Sequence, residues 1–285
     1  MYINDLPNFS DRVQTTLFAD DTTITLTDSN FNRLTDTANV ELRELRDWTY
    51  ANKLSLNVDK TSSIIFSNRR YFHSESSSLF LCNDKIKYAS SCKFLGVIID
   101  SNLSFNDHIR HISSKISKSV GIFRILQRYL PKNVLLNIYY SLIYPYLTYA
   151  NIIWGGTHEC HLNSLIILQK KLIRIISNAE YLAHTDPLFF DNQVLKVIDI
   201  HKYLLAQDMY KRNSSNNLLT IQHTYNTRFR HDAQPTNHRL DASRRLPSYA
   251  GATVWNSLPD AFKSSQLKFH KFKKSVKSFY VNQYS

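Results

Sequence analysis

Hydrophobic and polar positions alternate near the start of the chain, at residues 13–17 and 22–26 on either side of a short acidic pair. Such alternation around a polar turn predicts a β-hairpin. Over residues 34–48 the apolar positions instead recur every three or four residues, which predicts one face of a helix. Either Asn30 or Asp28 can cap that helix.

The next stretches again have the character of strands, with β-branched and aromatic residues between polar turns. Strands are predicted at residues 54–58, 62–66, 79–82, 85–88 and 93–100. Asn83-Asp84 offers a tight turn between the third and fourth of them.

Beyond residue 100 the period changes to that of helices. Helices are predicted at residues 109–123, 131–144 with Pro131 as the first helical residue, 162–176, 191–212 and 259–280. The polar residues 213–249 are predicted to be loop. Strands first and helices afterwards indicate an α+β fold.

Composition and charge point to a polyanionic partner. The 285 residues are 43% hydrophobic, enough for a packed core, and the net charge is +12. Residues 221–285 hold 11 Lys and Arg against 3 Asp and Glu, which is +8 and leaves +4 for the rest. Only five glycines occur, at spacings that exclude a glycine-rich phosphate loop.

The basic C-terminal region interleaves cations with aromatic residues, first at 228–230 and again at 268–274. Lys271, Lys273 and Lys274 can contact phosphates, and the neighbouring rings can stack on bases. An amphipathic helix that buries the same rings in the core explains the pattern equally well.

Other classes of protein are disfavoured. An odd, sparse set of three cysteines argues against a disulfide framework. The cluster of His158, Cys160 and His161 fits an ordinary polar loop better than a zinc site, which needs four ligands. No stretch predicts a secretory signal or a membrane span, so we expect an intracellular protein without a membrane partner.

An acidic pair, Asp20 and Asp21, lies at the predicted hairpin turn in the string LFADD. Two adjacent carboxylates are costly unless a cation neutralises them, and Mg²⁺ favours carboxylate and phosphate oxygens. Two such ions can clamp the attacking and leaving oxygens of a phosphoryl transfer. Taken alone, the string also fits an ordinary acidic turn.

Several longer motifs accompany the acidic pair in a specific order. They are YINDLP, LFADDTTI, WTYANKLSLNVDKTSSIIF, CKFLGVIIDSNLSFNDHI, LIYPYLTYANIIWGGT, LQKKLIRIISNAEYLAHTDPLF and SYAGATVWNSLPDAFKSS. In this order the chain resembles the C-terminal part of the reverse transcriptase of a non-LTR retrotransposon of the jockey-like kind. The resemblance implies a partial palm (antiparallel sheet plus helix) at 1–105, a helical thumb-like region at 106–212 and a basic C-terminal region at 213–285.

The resemblance also implies roles for single residues. Asp20 and Asp21 would bind catalytic Mg²⁺, two ions in the intact enzyme, and Lys60 would lie near the leaving pyrophosphate. Primer-grip residues would be Phe94, Leu95 and Gly96, and nucleic-acid contacts would come from Lys115, Lys118, Arg124 and Arg128. The alternatives are a surface lysine at 60, a buried strand with a glycine bulge at 94–96, and a solvated helix face.

The implied partners are an RNA template and a DNA primer, with genomic DNA as target and the nucleus as location. No feature indicates an obligate protein partner. The upstream palm aspartate and the fingers of such enzymes have no counterpart here, so we expect the 285-residue chain to be inactive as a polymerase by itself. A non-catalytic RNA- or DNA-binding module and the product of a decayed element are the alternatives.

Overall fold

The computed structural model describes residues 3–67, 78–214, 233, 241–263 and 267–285. The chain divides into two compact units, one made of residues 1–93 with 100–102 and the other of 94–99 with 103–285. Helices and small sheets together confirm the α+β class. The assignment of three regions divided at 105 and 212 stays a prediction.

The first unit contains the predicted hairpin. Its strands are β1 (Gln14–Phe18) and β2 (Asp21–Thr25), which pair antiparallel and leave Ala19 and Asp20 as the turn. Ala19 has a φ of 53°, in the left-handed region that two-residue hairpin turns require. The alternation in the sequence therefore predicted both strands to within one residue, and the turn lies one residue earlier than the predicted Asp20-Asp21.

Helix α1 (Phe31–Ala51) follows the hairpin. Its cap is Asn30, whose side-chain oxygen accepts hydrogen bonds of 2.9 and 3.2 Å from the backbone N–H groups of Asn32 and Arg33. The helix ends at Ala51, and the backbone N–H of the following residue, Asn52, bonds to the carbonyl of Trp48. Its most buried residues are Thr35, Ala38, Glu41, Leu45 and Thr49.

A small mixed sheet completes this unit, in the order β3-β5-β4. Strands β4 (Leu79–Leu81) and β5 (Asp84–Tyr88) are antiparallel, and β3 (Ser62–Ser63) pairs parallel to β5. The turn between β4 and β5 is Cys82–Asn83, with φ values of 52° and 70°. It is one residue earlier than the turn predicted from Asn83-Asp84.

Two strand predictions in this unit were wrong. Residues 54–58 form no strand, and the predicted strand 62–66 shrinks to two residues. Side-chain hydrogen bonds favour a turn instead: Asn57 accepts from the Lys60 backbone N–H at 3.2 Å, and the Thr61 hydroxyl donates to the Asn57 carbonyl at 2.8 Å. Such local bonds compete with ladder formation.

The single strand predicted at 93–100 was also wrong. It is a hairpin of β6 (Ser91–Phe94) and β7 (Val97–Asp100), and the division between the units passes through it. Leu95 and Gly96 make the turn with φ values of 45° and 84°. The apolar run concealed this turn, because only Gly96 among its residues signals a reversal.

The second unit is helical. Its elements are α2 (Asn106–Leu126), α3 (Lys132–Leu142), α4 (Tyr144–Thr148), α5 (Asn151–Trp154), α6 (Glu159–Ile176), α7 (Asp186–Asp191), α8 (Val197–Ser214), α9 (Asp241–Arg244), α10 (Pro247–Ser257) and α11 (Phe269–Val281). Helix α2 packs along α6, and α8 packs against α10 and α11. Fully buried Trp154, Trp255 and Phe272 belong to one continuous core.

Several predicted helix bounds need correction. Pro131 has an extended ψ of 157° and caps α3 from outside. The helix predicted at 191–212 begins only at Val197, and the one predicted at 259–280 begins at Phe269. Helix α10 begins inside the region predicted as loop, most of which lies outside the described residues. None of the described helices is long and apolar enough to cross a membrane.

Candidate functional site

The acidic pair lies at the tip of the β1–β2 hairpin. Asp20 belongs to the turn and Asp21 begins β2, and both side chains are exposed. Within the described part of the chain, no ion pair or side-chain hydrogen bond reaches either carboxylate. Phe18 beside them is 61% exposed. The tip therefore presents two carboxylates and an aromatic ring to the surroundings.

Lys60 lies in the same unit, at the end of the 3₁₀ turn Val58–Lys60. Its backbone is fixed by Asn57, while its side chain is exposed. It makes no ion pair with Asp20 or Asp21, so the structure does not bring this predicted cation into contact with the acidic pair.

Of the three primer-grip candidates, Phe94 ends β6, and Leu95 and Gly96 form the β6–β7 turn. The hydroxyl of Tyr149 donates a 2.6 Å hydrogen bond to the carbonyl of Leu95. A β-carbon built on Gly96 would come within 3.4 Å of the Tyr149 ring, and the φ of 84° also disfavours any side chain there. The positive φ of the turn and the nearby Tyr149 ring together explain the glycine at position 96. The alternative expected from the sequence was a glycine at a strand bulge.

The segment that holds Tyr149 is rich in internal bonds. The indole N–H of buried Trp154 donates to the Tyr149 carbonyl at 2.9 Å, and Asn151 Nδ2 donates to the Leu147 carbonyl at 2.9 Å. Thr157 donates to the Ser104 carbonyl at 2.8 Å, just before α2. This aromatic segment, residues 147–157, therefore links the Leu95–Gly96 turn to the start of α2.

Two buried histidines flank the aromatic segment. Nδ1 of His108 accepts a 3.3 Å hydrogen bond from the Ile98 backbone N–H, and its ring meets Trp154 edge-on at 5.6 Å. Nδ1 of His201 lies 3.2 Å from the carbonyl oxygen of Asn151. Burial lowers the pKa of both histidines to about 4. Both rings are therefore neutral at physiological pH.

The four predicted thumb cations are all exposed but do not share one face of α2. At about 100° per residue, Lys115 and Arg124 project from opposite sides of the helix, with Lys118 between them. Arg128 follows the helix end. Lys115 Nζ lies 5.5 Å from the centre of the Tyr146 ring. The cations are therefore spread around the helix and do not form one continuous strip.

Burial of side chains on α11 distinguishes between base stacking and core packing, the two interpretations of its aromatic residues. Phe272 and Val276 are completely buried, so the ring of Phe272 is a core residue and stacking on a base is excluded. Lys271 and Lys274 are exposed, and Lys273 Nζ lies 5.5 Å from the Phe269 ring. The similar pattern at 228–230 lies outside the described residues.

A zinc site finds no support in the geometry. The His158 and His161 rings are 6.2 Å apart, and Cys160 is exposed. Across the described ranges, no group of three or more His, Cys, Asp or Glu side chains is placed to hold a metal ion. All three cysteines are free thiols.

Comparison with known proteins confirms the resemblance seen in the motifs. The chain is 27% identical over 207 residues to the RNA-directed DNA polymerase from mobile element jockey of Drosophila melanogaster, a match that covers 71% of the chain and 22% of that protein. It is 25% identical over 186 residues to the jockey polymerase of Drosophila funebris, covering 64% of the chain and 20% of the relative.

A third relative is the probable RNA-directed DNA polymerase from transposon X-element of Drosophila melanogaster, 22% identical over 206 residues, covering 70% of the chain and 22% of the relative. The chain is thus similar to reverse transcriptases of non-LTR retrotransposons. It spans about a fifth of the length of these relatives. No protein-family profile and no solved structure matches it.

Among the residues that surround the Leu95–Gly96 turn, Tyr149, His108 and His201 were not predicted from the sequence. The motif LTYANIIWGGT did mark the aromatic segment, and its aromatic and small residues signalled close packing. The residues it contacts are His108, Leu95 and His201, which lie 46 to 54 positions away from their partners in the segment, and no local pattern reveals contacts of that separation.

Proposed function

We propose that this chain carries the palm hairpin, primer-grip turn and thumb helices of an RNA-directed DNA polymerase of the non-LTR retrotransposon type. The observation that carries the proposal is the exposed Asp20–Asp21 pair, which has no cationic partner among the described residues. Similarity to three such polymerases supports it. The chain spans about a fifth of the length of these relatives, so the polymerase activity named for them is extended to this chain only as part of the proposal.

The donor set at the hairpin tip fits Mg²⁺, which binds one or two carboxylates together with phosphates and water. Bound there, the metal would neutralise charge on the phosphates of an incoming nucleotide. Asp20 and Asp21 would hold the ion through their outward-facing oxygens. Lys60 would neutralise or protonate the departing pyrophosphate, in keeping with its exposed side chain.

The Leu95–Gly96 turn, named the grip turn below, and the exposed cations of α2 would position the nucleic acid. Gly96 is exposed and Leu95 half-buried in a fixed turn that can lie along a primer strand, and the α2 cations can contact backbone phosphates. The substrates would be an RNA template and a DNA primer, with genomic DNA as target. A nuclear location follows from that target.

The 285-residue polypeptide by itself would not extend a primer. Two carboxylates supply only part of the ligand set that holds two ions at reaction geometry. Across the described residues no third acidic side chain joins Asp20 and Asp21. In the proposed enzyme, that third ligand would come from polypeptide outside these residues.

Mn²⁺ binding followed by electron paramagnetic resonance tests the hairpin site. We expect Asp20→Asn to weaken binding about tenfold or more, because one of two ligands loses its charge. Asp36→Asn, an exposed carboxylate on α1, is the matched control and should bind as the unmodified chain does. Equal Mn²⁺ affinity in the Asp20→Asn and unmodified chains would contradict a metal site at the hairpin.

Primer extension on an RNA template, with Mg²⁺ or Mn²⁺, tests the inactivity of the isolated chain. We expect no product above background. Robust extension that disappears in Asp20→Ala would overturn the inactivity while supporting the catalytic role of the hairpin.

Binding of nucleic acid without catalysis is a second candidate function, favoured by the +8 charge of residues 221–285. Lys271 and Lys274 are exposed on α11, whereas Phe272 between them is core. Deleting the region would therefore destroy packing together with charge. We expect Lys271→Gln with Lys274→Gln to weaken binding to an RNA–DNA hybrid and to lower the salt slope by roughly 0.9 per lost phosphate contact. An unchanged slope would exclude α11 as a binding surface.

A further inference from the structure

The grip turn is held from two sides by the helical unit. At one end, the Leu95 carbonyl accepts the 2.6 Å hydrogen bond from the Tyr149 hydroxyl. At the other, the Ile98 N–H donates to His108 Nδ1 at 3.3 Å. Both anchors touch Trp154, since its indole bonds to the Tyr149 carbonyl and its ring meets His108.

Tyr149 combines an exposed side chain with a hydroxyl held by a hydrogen bond. It is 57% exposed, yet its hydroxyl is committed to a backbone carbonyl and its ring lies against Gly96. Its own backbone is fixed at both polar atoms, by the Trp154 indole and by the bond from the Tyr149 N–H to the Pro145 carbonyl at 2.9 Å. An exposed side chain held on a rigid backbone can fix a turn while leaving the turn accessible.

We propose that Tyr149 is a positioning residue that fixes the Leu95–Gly96 turn for contact with the primer strand. This inference rests on the proposed function. Tyr149 acts through the Leu95 carbonyl, and its hydroxyl need not touch nucleic acid. Because Lys115 of α2 lies over the Tyr146 ring in the adjoining helix, the same part of the unit joins the turn to the thumb cations.

The Tyr149→Phe variant of the full chain tests the inference, since it removes the hydroxyl and keeps the ring against Gly96. Hydrogen–deuterium exchange should accelerate about three- to tenfold in residues 94–99, the range expected for the loss of one hydrogen bond, and stay unchanged in the helices. Tyr129→Phe is the matched control, because that tyrosine is 77% exposed and its hydroxyl has no hydrogen bond among the described residues. Unchanged exchange at 94–99 in Tyr149→Phe would overturn the proposal.

A second measurement separates positioning from stability. Hydroxyl-radical footprinting of an RNA–DNA hybrid bound to the unmodified chain should give a sharp boundary on the primer strand. In Tyr149→Phe the boundary should spread over neighbouring nucleotides, while the affinity changes less than about threefold because the cations remain. A uniform loss of protection that parallels a loss of stability would reduce Tyr149 to a structural residue and overturn the proposal.

The two measurements also distinguish this inference from the proposed function. If the unmodified chain leaves no footprint, the polymerase assignment and the primer contact both fail. Hydrogen exchange then still reports whether Tyr149 holds the turn.

Discussion

Gly155 lies directly against His201: a β-carbon on this glycine would come within 2.6 Å of the imidazole Nδ1. It would also lie 2.4 Å from Asn151 Oδ1 and 2.7 Å from the Asn151 carbonyl oxygen. A side chain at position 155 would therefore fit only if His201, the Asn151 side chain or the backbone moved. Close packing on a buried imidazole explains why the chain has glycine at this break.

Replacing Gly155 with alanine should lower the free energy of unfolding by about 1–3 kcal/mol, because overpacking displaces the histidine or the backbone. Gly121→Ala is the control: it lies in α2 with nothing within 4 Å of its added β-carbon, and should stabilise by about 0.5–1 kcal/mol. Urea denaturation measures both. Equal stabilities of the two variants would contradict the tight contact at His201.

The stability of the chain should fall as the pH drops below 6.5. Burial lowers the pKa of His108 and His201 from 6.5 to about 4, so between these values the unfolded chain binds protons that the folded chain does not. By about pH 5 each histidine should cost about 2 kcal/mol of folding free energy. Urea denaturation at several pH values measures the slope.

Replacing His108 shows how much of the pH dependence of stability comes from that histidine. His108→Gln offers an amide oxygen to the Ile98 N–H and cannot be protonated, so its stability should depend less on pH by the share of one histidine. A slope identical to that of the unmodified chain would show that folding does not lower the pKa of His108.

The sequence revealed most where the causes are local. The helix at 31–51 follows from the period of its apolar residues and its Asn30 cap, and the hairpin at Asp20–Asp21 follows from alternation. The hydrophobic pattern did not predict the turn at Leu95–Gly96, because β-prone residues flank both sides of it. The sequence did not predict the contacts of Tyr149 and His108 with residues 95–98, because these hydrogen bonds depend on tertiary packing, which periodicity does not encode.

Tyr284 should stabilise the second unit through Asp199. Its hydroxyl donates a 2.5 Å hydrogen bond to the buried Asp199 carboxylate, which also pairs with Lys202 at 3.1 Å. Burial together with this bond raises the pKa of Tyr284 above its usual value. Tyr284→Phe should cost about 1–3 kcal/mol, because one oxygen of a buried charge loses its donor.

Tyr280 provides the matched control for Tyr284. Its hydroxyl is also buried on the C-terminal helix, but it has no hydrogen-bond partner among the described residues. Tyr280→Phe should therefore be neutral or slightly stabilising in thermal or urea denaturation. If both variants cost the same, the bond to Asp199 contributes nothing specific.

Glu41 is the clearest destabilising feature of the first unit. Only 1% of its surface is exposed, and within the described residues neither carboxylate oxygen has a hydrogen-bond partner. A buried polar group without a partner costs about 1–3 kcal/mol. Methionine has a similar length and a high helix propensity, so Glu41→Met should raise the free energy of unfolding by an amount in that range.

Glu44 on the same helix is exposed and serves as the control, since Glu44→Met should change stability by less than about 0.5 kcal/mol. Urea denaturation of the two variants side by side isolates the effect of burial from that of helix propensity. A loss of stability in Glu41→Met would mean that the carboxylate has partners in solution and contributes to the fold through them.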